Sequence, residues 1–280
     1  MDKATKEVIR QAVRDRYGKI AKANSEAPGN SIMGSCCGES GTAASCCGGP
    51  DVTSDQMSTL MGYSKEDFTS VVQGANMGLG CGNPVALASL QAGETVVDLG
   101  SGGGFDCFLA AKQVGDDGRV IGVDMTPDML SKARANAEKM QTRNVEFRLG
   151  EIEHLPVADN STDIIMSNCV INLSPDKQKV YGDAFRILKP GGRLAISDIV
   201  AIAPLPEEIQ QDLALVSACV GGASTIDDTR TMLAEVGFEN IKITPKDQSR
   251  ELISEWTAGN SKNAGDYVVS AYIEATKPEN

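Results

Sequence analysis

Residues 94–124 read ETVVDLGSGGGFDCFLAAKQVGDDGRVIGVD, and this stretch decides the fold. Thr95-Val96-Val97 is a β-branched run of the kind strands favour, and it ends in Asp98. A glycine-dense turn follows, Gly100-Ser101-Gly102-Gly103-Gly104, and then residues 105–114 have helical character. Residues 119–123 form a second strand, closed by Asp124. Strand, glycine turn, helix, strand and acid make a βαβ unit suited to a nucleoside. The glycines let the backbone approach a ligand closely and offer N–H groups at a helix start. Asp124, at the carboxyl end of the second strand, is placed to accept hydrogen bonds from ribose hydroxyls.

The dinucleotide fingerprint is G-x-G-x-x-G, whereas this turn reads G-x-G-x-G with Asp98 just ahead of it. Alone, such a turn also fits any tight strand-to-helix connection in an α/β domain. As DLGSGGG it resembles the first motif of class I S-adenosylmethionine methyltransferases. That cofactor has no pyrophosphate, so the loop meets an amino acid and a ribose, and a nearby acid suits an ammonium and a sulfonium.

Working outward, the alternation continues. Residues 126–140 predict a helix with Thr126 as N-cap and Pro127 at its first position. Residues 144–149 predict a third strand. In the fold of these methyltransferases the turn after it borders the adenine, which makes Gly150, Glu151 and Ile152 candidate contacts. Residues 162–167 predict a fourth strand that delivers Asn168 and Cys169 at its carboxyl end, where ligands of open α/β sheets sit. A helix over 176–188 is expected to stop at Lys189-Pro190-Gly191-Gly192, before a fifth strand over 193–199. LKPGGRLAISD resembles another methyltransferase landmark. Residues 202–224 predict a proline-broken stretch and a helix, 226–236 a helix, 238–244 a sixth strand and 267–276 a seventh, usually antiparallel in this fold. The segment around Trp256 reads as a cap.

Towards the amino terminus, apolar residues Val8, Ile9, Ala12, Val13, Ile20 and Ala21, with Tyr17, recur at helical spacing over about residues 2–24, read as a packing helix. Residues 27–50 are small, polar and glycine-rich and hold SCCG twice, with Cys36, Cys37, Cys46 and Cys47. The spacing is not that of a zinc ribbon; a flexible linker and a mobile thiol reservoir both fit it. Residues 54–72 predict one or two short helices. Then GANMGLGCGNP places four glycines and Cys81 ahead of another helix start, a setting expected to favour the Cys81 thiolate.

Composition limits the function. The 280 residues carry a formal net charge of −12, from 26 Lys+Arg against 38 Asp+Glu. Such a balance repels phosphate backbones, and aromatics make up only 4%, so nucleic acid is not expected as a partner. There is no apolar run of membrane-spanning length and no apolar leader segment at residues 1–23, so a cytoplasmic location is expected. In that reducing setting the eight cysteines read as ligands or redox thiols rather than staples. The single histidine, His154, reads as a surface residue.

Cys81, Cys169 and Cys219 are far apart in sequence, yet each lies in a glycine-rich or strand-end setting near the predicted cofactor mouth. Cys107, inside the first helix after the glycine turn, reads as core. ANMGLGCGNP, GEIEHLP, SNCVINLSPDK and ACVGGA, together with GVDMTPDML, resemble arsenite methyltransferases over essentially the whole chain. The resemblance implies that Cys81, Cys169 and Cys219 bind trivalent arsenic and that methyl transfer takes place there. Some members carry an aromatic residue two positions before the first of these cysteines; here that position is Leu79.

The chemistry fits independently. Trivalent arsenic is soft and trigonal pyramidal, so three thiolates satisfy it and leave a lone pair directed outward. That lone pair can attack a sulfonium methyl in line without a general acid, in keeping with a chain almost devoid of histidine. The surplus of thiols suggests a disulfide step reopened by thioredoxin or glutathione.

The expected architecture is therefore an α/β, Rossmann-like class I methyltransferase, a mainly parallel seven-stranded sheet with helices on both faces. Three regions are expected: an N-terminal helical region with the cysteine-bearing linker (1–72), a cofactor domain (73–200), and an arsenic-binding cap that completes the sheet (201–280). S-adenosyl-L-methionine is the expected cofactor. Asp98 and Gly100, Ser101 and Gly102 are assigned to its methionine end, Asp124 to its ribose, Met125 and Ile152 to its adenine, with Gly150, Glu151 and Asn168 nearby. The expected substrate is arsenite or its thiol adduct. Two rivals stay open: a methyltransferase for a quinone or sterol, which would not need the three cysteines, and a non-enzymatic metalloid-binding protein, which would not need the glycine-turn unit.

Overall fold

The computed structural model describes residues 3–26, 53–249, 253 and 264–279. The paired cysteines Cys36, Cys37, Cys46 and Cys47, and Trp256, lie outside the described residues. The amino-terminal helix α1 (Lys3–Glu26) precedes two short helices, α2 (Ser54–Leu60) and α3 (Lys65–Thr69), each started by a capping box from Thr53 or Ser64. After α4 (Pro84–Ala88) the strands and helices alternate as β1 (Thr95–Leu99), α5 (Phe105–Val114), β2 (Arg119–Asp124), α6 (Pro127–Met140), β3 (Val145–Leu149), β4 (Thr162–Asn168), α7 (Lys177–Ile187) and β5 (Leu188–Ala201). Helices α8 (Glu207–Gln210), α9 (Leu213–Val216) and α10 (Ile226–Val236) follow, then β6 (Glu239–Lys246) and β7 (Val268–Thr276).

The seven strands form one sheet in the order β3-β2-β1-β4-β5-β7-β6. All neighbours are parallel except β7, which runs antiparallel to both β5 and β6. Successive strand residues face opposite sides, and both sides are covered, which is why the inner strands are apolar throughout. Val97, Leu99, Ile121, Val123, Ile165 and Ile196 pack with Val180, Tyr181 and Ala184 of α7 and Leu233 of α10. On the other face, Val96, Val120, Ile164 and Met166 pack with Phe108 and Ala111 of α5, Leu130 of α6 and Met61 beside α2.

Strand order reverses between β1 and β4, and the crevice outside their carboxyl ends is where such sheets take ligands. Asp98 and the glycine turn leave β1 at that crevice, and Asn168 and Cys169 leave β4.

Three local expectations are corrected. The Lys189-Pro190-Gly191-Gly192 stop lies inside β5, because Leu188 already pairs with Thr162 and the register jump to Ile164–Arg193 absorbs the extra residues as a bulge. Thr126 occupies the N-cap position of α6 but makes no capping hydrogen bond; its N–H instead donates to Asp124 Oδ1 at 2.8 Å. Cys81 is not at a helix start: α4 begins at Pro84, has only five residues, and is capped by Asn83, which accepts from the Ala86 N–H. No described helix is long and apolar enough to cross a membrane.

Candidate active site

The crevice opens into a cleft of about 1080 Å³, mouth included, walled by the glycine turn, the ends of β1, β2 and β4, the loop before α4, and α1. The backbone N–H groups of Gly100 and Ser101 donate to Val123 O at 2.7 and 3.1 Å, which ties the turn to β2. Gly100 has φ +69°, and a Cβ there would stand 2.3 Å from Val170 Cγ2, so only glycine fits. Asp124 accepts from the Gly102 N–H at 3.0 Å and from Thr126. Burial raises its pKa, and these N–H groups oppose the rise.

Asp98 is buried, and the Cys107 thiol donates to its Oδ2 at 3.2 Å. Burial, with Asp106 nearby, pushes its pKa well up. Burial also pushes Asp106 up to about 6, against the hydrogen bonds it accepts from Tyr63 Oη (2.5 Å) and Asn168 Nδ2 (3.2 Å). Ser101 Oγ is buried in the cleft wall with no hydrogen-bond partner. Two buried acids facing each other and an orphaned hydroxyl are the donor set for a ligand bearing both a cation and hydroxyls, which S-adenosylmethionine is.

The three predicted cysteines come together. Cys81, Cys169 and Cys219 are 4%, 5% and 2% exposed and share one apolar cluster with Leu173, Ile199 and Leu215. All are free thiols, as is buried Cys107, which packs in the core beneath α5 as expected. Hydrogen bonding with Cys219 and Cys81, then burial, pushes the Cys169 thiol well up. The bond with Cys169 pulls the Cys219 thiol down, but burial and the Asp198 carboxylate leave it raised. Cys219 Sγ also donates to Cys169 O at 2.8 Å, and Cys81 Sγ lies 3.6 Å from Ser197 Oγ. Cys169 and Cys219 have φ +61° and +66°, a left-handed backbone that non-glycine residues adopt under constraint and that clusters at functional sites. Among the described residues no three His, Cys, Asp or Glu are grouped to hold a metal ion, so the thiols meet as neighbours rather than as a finished chelate. Of the three, Cys169 also lines the cleft and so joins the thiol cluster to it.

The other predicted residues divide. Asp98, Gly100, Ser101, Gly102, Asp124, Met125, Ile152 and Asn168 line the cleft; Gly150 and Glu151 do not. Glu151 faces Arg10 and Arg14 of α1, at 3.4 and 3.5 Å. The amide of Asn168 is spent on the protein: Nδ2 donates to Gly82 O, Tyr63 Oη and Asp106, and Oδ1 accepts from the Cys81 N–H. His154 is exposed and lies 2.6 Å from Lys179 Nζ. Among the cleft residues not anticipated are Tyr63, Asp106 and Tyr17. Asp106 follows the glycine turn by two residues, which was a usable signal; Tyr63 carried none, and the apolar period of α1 marked Tyr17 only as packing.

A family model described as a methyltransferase domain matches residues 90–237. The chain is 54% identical over 274 residues to an arsenite methyltransferase of Halobacterium salinarum, an alignment covering 97% of this chain and 67% of that protein. It is 45% identical over 171 residues to an arsenite methyltransferase of Aquipseudomonas alcaligenes, over 59% of this chain and 49% of that one. Of solved structures, an arsenic(III) S-adenosylmethionine methyltransferase from Chlamydomonas reinhardtii superposes with a TM-score of 0.58 at 31% identity, over 78% of this chain and 71% of that one. The chain thus spans from about half to two thirds of the length of these curated relatives. Sheet order, glycine turn and the long alignments agree: this chain belongs to the arsenite methyltransferases, enzymes built on the class I S-adenosylmethionine methyltransferase fold.

Proposed function

We propose that the chain transfers a methyl group to trivalent arsenic held by Cys81, Cys169 and Cys219, as part of arsenic detoxification in the cytoplasm. The observation that carries this reading is the meeting of three buried thiols from three separate segments in a cluster that reaches the cofactor cleft through Cys169. Asp98 with Gly100, Ser101 and Gly102 would hold the methionine end of S-adenosylmethionine, Asp124 its ribose, and Met125 with Ile152 its adenine. When bound, the cofactor supplies a methyl on a sulfonium, which leaves a neutral thioether behind.

The residues of the chain then have three tasks. The thiols orient the arsenic lone pair towards the cleft, which requires rotation of side chains that already touch. The cluster around Leu173, Ile199 and Leu215 excludes water from the arsenic. Asn168 holds the Cys81 loop against β4, and orientation of this kind supplies up to about 7–11 kcal/mol in favourable cases. The methyl transfer itself needs no side chain to move a proton. Methyl transfer takes arsenic from the trivalent to the pentavalent state, and two protein thiols can return both electrons by closing a disulfide. A reductant of the thioredoxin or glutathione class would reopen it.

The test is transfer of labelled methyl from S-adenosylmethionine to arsenite with a thiol reductant, the wild type beside Cys81→Ser, Cys169→Ser and Cys219→Ser. The reading requires methylarsenicals from the wild type, their loss in the Cys169 and Cys219 variants, and retained cofactor binding in both. Arsenite binding without methylation would replace it with a metalloid-binding role; full activity in the variants would point to another methyl acceptor.

A further inference from the structure

We propose that Tyr17 is a positioning residue through which α1 couples the cofactor cleft to the thiol cluster. The inference rests on the arsenic site described above. Tyr17 is half-buried on the inner face of α1 and belongs to two environments at once. It lines the cofactor cleft and packs against the cluster of Ala21, Met77 and Met129. Its other contacts are with the cluster of Cys81, Cys169 and Cys219, where its hydroxyl is in hydrogen-bonding reach of the Cys219 thiol. Leu79, where some relatives carry an aromatic residue, packs on the same cluster and lines the same cleft. The aromatic wall is supplied from α1 instead.

The helix is built to seat and to lift. Lys6 pairs with Asp176 at 2.6 Å, Arg10 with Glu153 at 3.2 Å, and Lys22 with Asp128 at 3.2 Å. These pairs tie α1 to the start of α7, to the loop after β3 and to the first turn of α6. Apart from the buried Arg10–Glu153 pair they are partly solvated, so each is weak and reversible. The three thiols are almost wholly enclosed, and arsenite must reach them. Displacing α1 uncovers the thiols and removes Arg10, Val13 and Tyr17 from the cleft wall in the same motion. Each ligand therefore gains contacts in the seated state that the lifted state lacks, and two ligands that favour one state bind cooperatively.

The experiment measures binding of S-adenosylhomocysteine by calorimetry, with and without arsenite, and arsenite by equilibrium dialysis, with and without S-adenosylhomocysteine. Wild type should show reciprocal tightening of about fivefold or more. Tyr17→Ala should bind S-adenosylhomocysteine about tenfold more weakly and show coupling within about twofold of unity. Tyr17→Phe keeps the ring, so its S-adenosylhomocysteine affinity should stay within about twofold of wild type while the coupling falls by about half or more. A merely structural role would weaken both ligands and leave the coupling factor unchanged, and that result overturns the inference. Wild-type coupling in both variants overturns it as well. If the wild type binds S-adenosylhomocysteine but no arsenite, the arsenic reading fails first and this inference falls with it.

Discussion

Replacing Asn168 with alanine separates the fold from the site. Asn168 Nδ2 donates to Gly82 O at 2.9 Å and to Tyr63 Oη at 3.0 Å, and its Oδ1 accepts from the Cys81 N–H at 2.9 Å. The substitution leaves the Cys81 N–H and the Gly82 carbonyl without these partners, while Tyr63 keeps its bond to Asp106. A buried group left unsatisfied costs about 1–3 kcal/mol, and partial solvent access at this half-buried residue favours the lower end, so the pair costs about 2–4 kcal/mol. For a chain of this length about 1 kcal/mol moves the melting point by about 2–4 °C, which gives a fall of about 4–16 °C. Because the loosened segment carries Cys81, arsenite affinity should fall by about tenfold or more, with S-adenosylhomocysteine affinity changed by less than about threefold. Gly80→Ala offers an independent route to the same state, since a Cβ there would stand 2.5 Å from Asn168 Nδ2 and displace the amide. Circular-dichroism melts and equilibrium dialysis with arsenite read both effects. Melts within about 1 °C of wild type and unchanged arsenite binding in both variants would refute the reasoning.

Gly100 and Gly115 share a positive φ, but a Cβ at Gly115 meets nothing within 4 Å, whereas at Gly100 it meets Val170. Gly115 sits at φ +70°, ψ −174°, a region essentially reserved for glycine, so Gly115→Ala should cost only backbone strain of about 1–3 kcal/mol, and Gly100→Ala should in addition lose at least about tenfold in cofactor affinity; equal behaviour in a binding titration would remove the close-approach argument. Asp106 is raised from an ordinary 3.8 to about 6, so its contribution to stability is present below pH 4 and lost as pH rises through 6. Relative to Asp106→Asn, wild-type stability in urea should decline by up to about 3 kcal/mol between pH 4 and 7, and a flat difference would contradict this. Lys177 Nζ is bonded to Gly222 O and to Ser224 Oγ, just beyond Cys219, and burial brings its pKa down to about 8. Lys177→Met should weaken arsenite binding and leave S-adenosylhomocysteine binding intact, and an equal loss of both would show a general structural effect instead.

What could be read from the sequence was what is local. The apolar runs, the glycine turn and the acid after β2 signal the βαβ unit because strand, turn and helix preferences act over neighbouring residues. The positions of Asp98, Asp124 and Cys169 followed from strand ends. What could not be read was how polar atoms are spent across long separations. Tyr63 meets Asp106 over 43 residues and Asn168 meets Asp106 over 62, and neither pairing leaves a local trace. Asn168 and Glu151 sit where the fold places ligand contacts, yet one holds the Cys81 loop and the other faces Arg10 and Arg14. The α1 pattern marked the buried side through Ile9, Val13 and Ala21, although Val8 is exposed, but periodicity says which side of a helix is buried and not what it is buried against.

The same limit explains the state of the thiols. The thiolate expected from the glycine-rich loop concerned Cys81; the other two thiols, Cys169 and Cys219, are buried and both raised. Neutral thiols suit the proposed substrate better. Arsenous acid is uncharged at neutral pH, and each As–O bond exchanged for an As–S bond takes one thiol proton and releases one water, so charge balances at every exchange. Cys169 and Cys219 as thiolates in an apolar cluster would carry a heavy desolvation penalty before arsenic arrived, whereas as thiols they can wait there without one. The acidic surface then divides the substrates: a chain of net charge −12 neither attracts nor repels neutral arsenous acid, but it favours the approach of a cationic sulfonium. Raising ionic strength should accordingly slow association of S-adenosylmethionine in stopped-flow measurements and leave that of arsenite unchanged. An equal salt response for both would place the discrimination elsewhere than in long-range charge.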